Sequence, residues 1–512
     1  MTTEWTRDLD ETGVVRLAEL LALKIRSGDV IALSGDLGAG KTTLARALIG
    51  AVLRDGNAEV PSPTFSLHQS YASQRLMIAH FDFYRLSGGH EASELGFDDA
   101  AQDGAVIVEW PERAAALLPE TRIEIALAET SDPEVRRVTL RWHGSAGDRI
   151  ARIADVMAFL DTQAEWSRAR ITYLQGDAST RGYARLSLDD GRTALLMDAP
   201  RQPDGPPVRD GKPYSQIAHL AEDMVRAFAA LAGPLRAAGL SAPEVLAEDF
   251  ENGLLLIEDL GNRVFSAEVA RGAPQEVLWR AAVDALVEIQ RFDAPQHLPM
   301  RGGRHVLQAY DRAALQIEIE LLIDWYWPAL HGAPVPDAMR AEFLSLWSAV
   351  FDRLERQPPG WVLRDFHSPN LIWLPERDGI RRVGVIDFQD AQRGSAAYDL
   401  VSLLQDARVD VTDALEKTLF THYCQAARNH QPHFDEAEFT FAYNALGAQR
   451  STKILGIFVR LAHRDGKHQY LAHLPRIWGY LQRNLRHVTF APLAAWYQKH
   501  FPVSVRDGKL PL

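Results

Sequence analysis

The chain has a single cysteine, Cys424, in 512 residues, so no disulfide can close within it. Such usage predicts a reducing compartment. No apolar run approaches the ~18 residues that a bilayer-spanning helix needs. Met1 to Asp10 are polar and acidic, without the basic start and apolar stretch of a secretory leader. Basic excess is missing too. The net charge is −13, and residues 1–150 hold 15 Lys and Arg against 23 Asp and Glu. A protein that grips nucleic acid by its phosphates needs the opposite balance, so any RNA is expected to be held by another subunit. Lysine is scarce in one stretch that matters below: Lys212 is the only one between residues 160 and 260. Together these absences predict a cytoplasmic protein that makes no membrane contact.

What is present is ordinary for a folded protein. A hydrophobic fraction of 46% with 24% charged residues argues against wholesale disorder. The length is too great for one core and predicts several domains. The first segment reads as α/β. Val14 to Lys24 and Thr42 to Leu53 have helical spacing, and Asp29 to Ser34 is a short apolar strand. Further strands are expected at Leu76 to Phe83, Ala105 to Val108, Arg122 to Leu127 and Arg136 to Trp142. The turn-rich run His143 to Asp148 marks a boundary, placed at residue 147. Ile150 to Leu160 reads as a bridging helix. Residues 148–512 then begin with strands at Ile171 to Leu174, Tyr183 to Leu188 and Thr193 to Met197. A loop follows at Ala199 to Pro213, and another strand at Leu254 to Ile257. From Glu276 the pattern is mostly helical, with a strand-rich insert at Leu371 to Asp387. The expected architecture is an α/β P-loop NTPase domain (1–147) followed by an α+β two-lobed kinase-like domain (148–512).

The first chemical motif is Gly35-Asp36-Leu37-Gly38-Ala39-Gly40-Lys41-Thr42, with Thr43 after it. Glycines let a backbone turn tightly and bring its N–H groups onto phosphate oxygens. Lys41 supplies charge to the β- and γ-phosphates of ATP, and Thr42 offers a hydroxyl to Mg²⁺. A strand before the loop and a helix after it complete the context. Two acids at strand ends, Asp82 and Glu109, are candidates for the metal and the attacking water.

The second constellation is Arg364-Asp365-Phe366-His367-Ser368-Pro369-Asn370, then Val385-Ile386-Asp387-Phe388. Kinase chemistry asks for an acid to take the hydroxyl proton, an Asn for a metal ion, and a second Asp that bridges Mg²⁺ to the phosphates. Asp365, Asn370 and Asp387 meet that spacing, and a hairpin turning at Asp378-Gly379 would bring Asn370 beside Asp387. His463-Arg464-Asp465 matches the kinase tripeptide more literally, but Tyr470 stands where the metal-binding Asn should be, so it is rejected. Gly176 to Tyr183, with Ser179 and Arg181, is the expected loop over the phosphates, and Glu258 to Gly261 the expected hinge by the adenine.

The P-loop, with Ser62-Pro63-Thr64-Phe65, His80-Phe81-Asp82-Phe83-Tyr84-Arg85-Leu86 and Val108-Glu109-Trp110-Pro111, resembles the TsaE family over about residues 5–143. TsaE supports the TsaB–TsaD complex in making threonylcarbamoyladenosine on tRNA. The resemblance implies Thr42 and Glu109 as Mg²⁺ ligands, Asp82 as a catalytic or water-positioning acid, Ser62 to Phe65 as a nucleotide-sensing loop, and Trp110 beside the nucleotide. The second half resembles the aminoglycoside phosphotransferase and choline kinase superfamily. Within it the chain is most similar to the AmgK anomeric amino-sugar kinases. This resemblance is carried by Gly176 to Arg185, Leu196 to Pro200, Val385 to Ala391, Tyr398-Asp399 and Gln449 to Lys467. It implies ATP-dependent phosphorylation of N-acetylmuramate or N-acetylglucosamine in cell-wall recycling. Other small alcohols of the aminoglycoside or choline type, or a nucleotide-binding pseudokinase scaffold, stay open as alternatives. Two departures stand out: Met197 occupies the third-strand position where kinases of this fold place a Lys, and Leu363 replaces a common His. Arg181 or Arg185 could take the missing Lys role. Lys453, Arg460, Arg464 and Asp465 are candidates for sugar recognition or, equally, a solvated helix face.

Overall fold

The computed structural model describes residues 3–55, 58–86, 89–174, 181–507 and 509–510. They fall into two compact units. One comprises Met1–Pro200 with Leu246–Asp259, the other Arg201–Val245 with Leu260–Leu512.

The first unit opens with β1 (Thr3–Asp10), α1 (Glu11–Lys24), β2 (Val30–Ser34) and α2 (Lys41–Leu53). β3 (His68–Ala72), β4 (Met77–Asp82), α3 (Gly89–Glu94), α4 (Phe97–Asp103), β5 (Ala105–Glu109), β6 (Ile123–Glu129) and β7 (Val135–Trp142) follow. The seven strands form one sheet in the order β1-β7-β6-β2-β5-β4-β3. β2 pairs in parallel with both β5 and β6, and β4 pairs in parallel with β5. Buried on both faces, the central strands read as near-continuous apolar runs, Val30-Ile31-Ala32-Leu33 and Ala105 to Val108. The Asp10 carboxylate caps α1 by accepting from Gly13 N at 2.8 Å.

β1 and β3 escape the sequence reading. β1, Thr-Glu-Trp-Thr-Arg-Asp-Leu-Asp, exposes Glu4, Thr6, Asp8 and Asp10 and turns Trp5, Arg7 and Leu9 inward, as suits an edge strand with one wet face. It pairs antiparallel with β7 over its whole length, Thr3 opposite Trp142 and Asp10 opposite Val135.

The same unit continues through α5 (Gly147–Asp161) into β8 (Arg170–Leu174), β9 (Gly182–Ser187) and β10 (Thr193–Asp198). These belong to a second, five-stranded sheet completed by Leu254–Glu258 and Val245–Asp249. The two sheets do not have separate cores. Leu17, Leu21, Leu44 and Leu48 share one apolar cluster with Ile153, Leu160, Ile171, Leu186, Leu196 and Leu256. Polar contacts join the same elements. Arg149 places its two terminal nitrogens on the Asp29 carboxylate, both at 2.8 Å. Lys24 and Arg152 both engage Asp198. Glu19 accepts from Ile171 N at 2.9 Å, and burial pushes its carboxyl up to about 7.

The second unit is mainly helical. Its longest helix, Glu436–Asp465, has 30 residues and starts at Asp435, whose carboxylate accepts from Ala437 N and Glu438 N. Trp279, Trp347 and Trp478 are among its fully buried side chains. Three short antiparallel pairs interrupt the helices: His297–Met300 with Gly303–Val306, Gly360–Val362 with Gln392–Gly394, and Leu371–Trp373 with Val383–Val385. Part of the stretch read as a loop is ordered as well. Pro207–Arg209 pairs with Lys212–Pro213 around Asp210-Gly211, at φ 49° and 73°. Asp-Gly with both residues at positive φ is the preferred two-residue hairpin turn. Among the described residues no helix is long and apolar enough to cross a membrane.

Candidate functional site

In the first unit the phosphate loop joins β2 to α2. Gly35 sits at φ 140°, and a Cβ there would lie 2.3 Å from the Leu127 carbonyl oxygen, so only glycine fits. Gly38 and Gly40 also have positive φ, and Gly40 caps α2. Asp36 O accepts from Ala39 N at 3.1 Å, closing the turn, while Leu37 points outward at 79% exposure. Lys41 is buried and donates to Gly35 O and Asp36 O at 2.7 and 2.9 Å. Its ammonium lies 3.7 Å from the Trp110 ring centroid, and burial pulls its pKa down. Thr42 and Thr43 occupy the first turn of α2, whose free N–H groups and dipole favour an anion.

The two acids stand side by side at the ends of parallel strands, Asp82 of β4 opposite Glu109 of β5. Both are buried. Glu109 Oε2 accepts from the Thr42 hydroxyl at 3.0 Å, and Oε1 lies 3.1 Å from His80 Nε2. Asp82 Oδ2 accepts from the Ser62 and Thr64 hydroxyls, both at 3.0 Å, and Oδ1 from Tyr84 N at 3.0 Å. The sequence reading assigned no task to His80. With Nε2–H aimed at Glu109, its ring is the group that orients that carboxylate.

In the first unit's five-stranded sheet, Met197 is fully buried between Tyr183 and Leu255. Arg185, one candidate for the missing Lys role, is gripped by both oxygens of Asp259, at 2.5 and 3.0 Å. Arg181 is described; Ser179 and the rest of 175–180 lie outside the described residues.

In the second unit the strands Leu371–Trp373 and Val383–Val385 pair with Leu371 opposite Val385. That register brings Asn370 and Asp387 together. Asn370 Nδ2 donates to Asp365 O at 3.0 Å and to Asp387 Oδ2 at 3.3 Å. The three predicted residues are therefore in one place. Arg364 and Asp387 hold φ 66° and 63°, a strained setting for non-glycine residues that clusters at functional sites. Buried carboxylates hold the loop. Asp399 accepts from Leu363 N at 2.6 Å and Arg364 N at 3.0 Å, and burial pushes it up to about 7. Asp406 accepts from Ser368 N at 2.8 Å. Gln389 donates to Asp387 Oδ1 at 3.0 Å. Asp406 carries no motif signal; Gln389, within Val385 to Ala391, and Tyr398-Asp399 were marked only by resemblance.

The helical candidates for sugar binding divide. Lys453 is largely covered and pairs with Glu318 Oε1 at 2.8 Å. Glu318 also meets Arg364 and Gln449. Burial alone would raise Glu318, but Lys453 and Arg364 outweigh it and hold the carboxyl at about 2. Lys453 is thus part of the scaffold under the catalytic loop. Arg460 lies over the Tyr214 ring at 5.5 Å, and Arg464 pairs with its neighbour Asp465 at the helix end.

Both sites offer hard oxygen donors beside each other, Thr42 with Glu109 and Asn370 with Asp387, which suits a Mg²⁺ that keeps several waters.

A family model described as threonylcarbamoyl adenosine biosynthesis protein TsaE matches residues 9–138. A second, the phosphotransferase enzyme family, matches residues 170–437, more than half the chain. The chain belongs to both families. An N-acetylmuramate/N-acetylglucosamine kinase of Caulobacter vibrioides is 39% identical over 341 residues, covering 65% of this chain and 92% of that protein. One of Pseudomonas aeruginosa is 35% identical, covering 61% of this chain and 83% of that protein. A TsaE protein of Rickettsia felis is 39% identical over 141 residues, covering 28% of this chain and 81% of that protein. The molecule is accordingly a fusion of a TsaE-type ATPase domain with a kinase of the phosphotransferase family.

Proposed function

We propose that the two ATP sites serve different reactions, with the functional boundary near residue 147. The N-terminal domain hydrolyses ATP in support of threonylcarbamoyladenosine formation, acting with TsaB and TsaD proteins and meeting tRNA only through them. Gly35 to Thr43 and Trp110 hold the nucleotide, Thr42 and Glu109 the Mg²⁺. Asp82 positions the attacking water. Its bonds to Ser62 and Thr64 link the 62–65 segment to whatever occupies the γ-phosphate position.

The C-terminal domain phosphorylates the anomeric hydroxyl of N-acetylmuramate or N-acetylglucosamine in the cytoplasm. The observation that carries this reading is the Asn370 side chain, which ties the catalytic acid's backbone to Asp387, in a chain 39% identical to a kinase of these sugars. Asp365 accepts the hydroxyl proton as the oxygen attacks. Mg²⁺, held by Asn370 and Asp387, supplies charge neutralisation at the phosphates. Ser179 and Arg181 belong to the phosphate-covering segment in this reading. Intact Asp365, Asn370 and Asp387 speak against a pseudokinase despite Met197.

The test is incubation of the full chain with ATP, Mg²⁺ and each sugar, read by phosphorus NMR. An anomeric sugar phosphate, lost in Asp365→Asn, is expected. No product from either sugar overturns the reading. For the N-terminal domain, weak basal hydrolysis stimulated by TsaB and TsaD is expected; strong hydrolysis indifferent to them overturns the partnership.

A further inference from the structure

A cavity of about 380 Å³ lies in the second unit, and the reaction as described above does not use it. Its lining includes Gln389, the loop residues His219 and Ala221, and Arg304 and His305 of the hairpin His297–Met300/Gly303–Val306. The volume falls in the range of small-ligand sites. The catalytic segment fixes its wall. Ala221 N donates to Asp390 Oδ1 at 2.7 Å, and Gln392 Nε2 donates to Ala218 O and His219 O, both at 2.9 Å.

Two side chains in this cavity have unused capacity. Gln389 is 2% exposed, its amide nitrogen faces the Asp387 carboxylate, and its Oε1 has no hydrogen-bond partner among the described residues. With the nitrogen turned to a carboxylate, the amide cannot be flipped, so a buried acceptor is left waiting for a donor. The second is Arg304. The other charged groups of the lining are matched: Asp223 with Arg226, Glu222 with Arg201, and His219 with Asp311. Asp204 accepts from Ser215 and Gln216. Burial pulls the His305 pKa down, against the opposing charge of Asp223. Among the described residues Arg304 has neither ion pair nor hydrogen bond, and it is exposed at the cavity edge.

We propose that this cavity is the acceptor-sugar subsite, where Gln389 Oε1 takes a hydrogen bond from the sugar and Arg304 binds the carboxylate of an acidic amino sugar. The assignment rests on the sugar-kinase reading. N-acetylmuramate carries a lactyl carboxylate that N-acetylglucosamine lacks, and a guanidinium fork fits a carboxylate through two parallel bonds. Arg304 therefore selects between the two sugars, while Gln389 serves both.

Steady-state kinetics of the full chain with each sugar test this. Arg304→Ala should raise KM for N-acetylmuramate about tenfold, with kcat and all N-acetylglucosamine constants within about twofold. Arg304→Lys should recover part of the loss. Gln389→Leu, which also removes the donor to Asp387, should raise KM for both sugars by about tenfold and KM for ATP by clearly less, about threefold at most. Equal losses for both sugars in Arg304→Ala, or none, overturn the carboxylate site. A rise of KM for ATP in step with the sugars in Gln389→Leu shows that Gln389 serves Asp387 alone and removes it from the subsite. If the unsubstituted chain turns over neither sugar, the sugar-kinase reading itself falls and takes this one with it; turnover of both without these differences overturns the subsite only.

Discussion

The two phosphate-handling sites of this chain are organised by opposite means. In the ATPase domain, the backbone does most of the organising. Eight consecutive residues, Gly35 to Thr42, form the loop and open α2, and Gly35 is forced by the Leu127 carbonyl 2.3 Å from where a Cβ would stand. The partners Asp82 and Glu109 arrive at adjacent strand ends by parallel register. In the kinase domain, side chains organise the backbone instead. The loop Leu363 to Asn370 has little regular structure, and two buried carboxylates, Asp399 and Asp406, hold its N–H groups. A site of the first kind is written in one stretch of sequence. A site of the second kind depends on residues about forty positions away, and fails when any of them fails.

The comparison breaks most sharply if the sites are not independent. Asp387→Ala should lower sugar phosphorylation by about a thousandfold or more, since in the proposed reaction it removes the acid that would face the metal and phosphates. ATP hydrolysis by the N-terminal domain should be unchanged. Lys41→Ala should do the converse. Parallel assays of both activities on both variants check this, and joint loss in either variant refutes separate sites.

A second, smaller effect sharpens the contrast in organisation. Asp399→Asn leaves one acceptor oxygen where two backbone N–H groups converge. Leaving a buried donor unsatisfied costs about 1–3 kcal/mol. Kinase turnover should fall with a lowered melting temperature of the second unit, and without change in ATPase activity. A loss of turnover at full thermal stability would mean that Asp399 acts on the reaction directly. In the ATPase site the comparable substitution, Trp110→Ala, removes the aromatic face over the Lys41 ammonium together with the ring's packing on Tyr84. Such a contact is worth about 1 kcal/mol, so ATP affinity should weaken by about fivefold, measurable by calorimetric titration. Unaltered affinity would show that the ring only shields the site.

How far each site could be read beforehand follows from the same difference. The P-loop motif, its flanking strand and helix, and the two strand-end acids were all legible, because local sequence carries that geometry. Asp365, Asn370 and Asp387 were legible by spacing, because a short hairpin joins them. What supports them was not. Glu318 pairs with Lys453 135 residues away, and no periodicity announces that a charged helix position is buried. Lys453 could therefore be taken equally for a sugar ligand or a solvated charge, and the structure shows it is not the latter. Gln389 lay in a stretch marked by resemblance but was given no role, for a similar reason: its meaning lies in a cavity and an orphan oxygen. In the fold, β1 was missed because a half-exposed edge strand has little apolar content. The shared core of α1 with β8–β10 was missed because helix and strand each look complete when read alone.

The smallest effect concerns pH, where the two units again differ in sign. Glu19, at the joint between α1 and β8, has its folded pKa raised to about 7 by burial, against an ordinary value near 4.5. Between about pH 4.5 and 7 the folded state holds a proton that the unfolded state has lost. Stability from this group is therefore full at low pH and falls as pH rises through 7. Glu318, in the second unit, is held at about 2 by Lys453 and Arg364 despite its burial. Its contribution is full above about pH 4.5 and is lost as pH falls toward 2. Glu19→Gln keeps an oxygen for Ile171 N and cannot ionise. It should flatten the decline of first-unit stability between pH 5 and 8 and add on the order of 1 kcal/mol at pH 8, where solvent at this half-buried site screens much of the shift. Denaturant melts followed in the first unit at both pH values decide it: a variant with the wild-type slope would mean that Glu19 stays ionised in the folded protein and that its bond to β8 costs nothing at neutral pH.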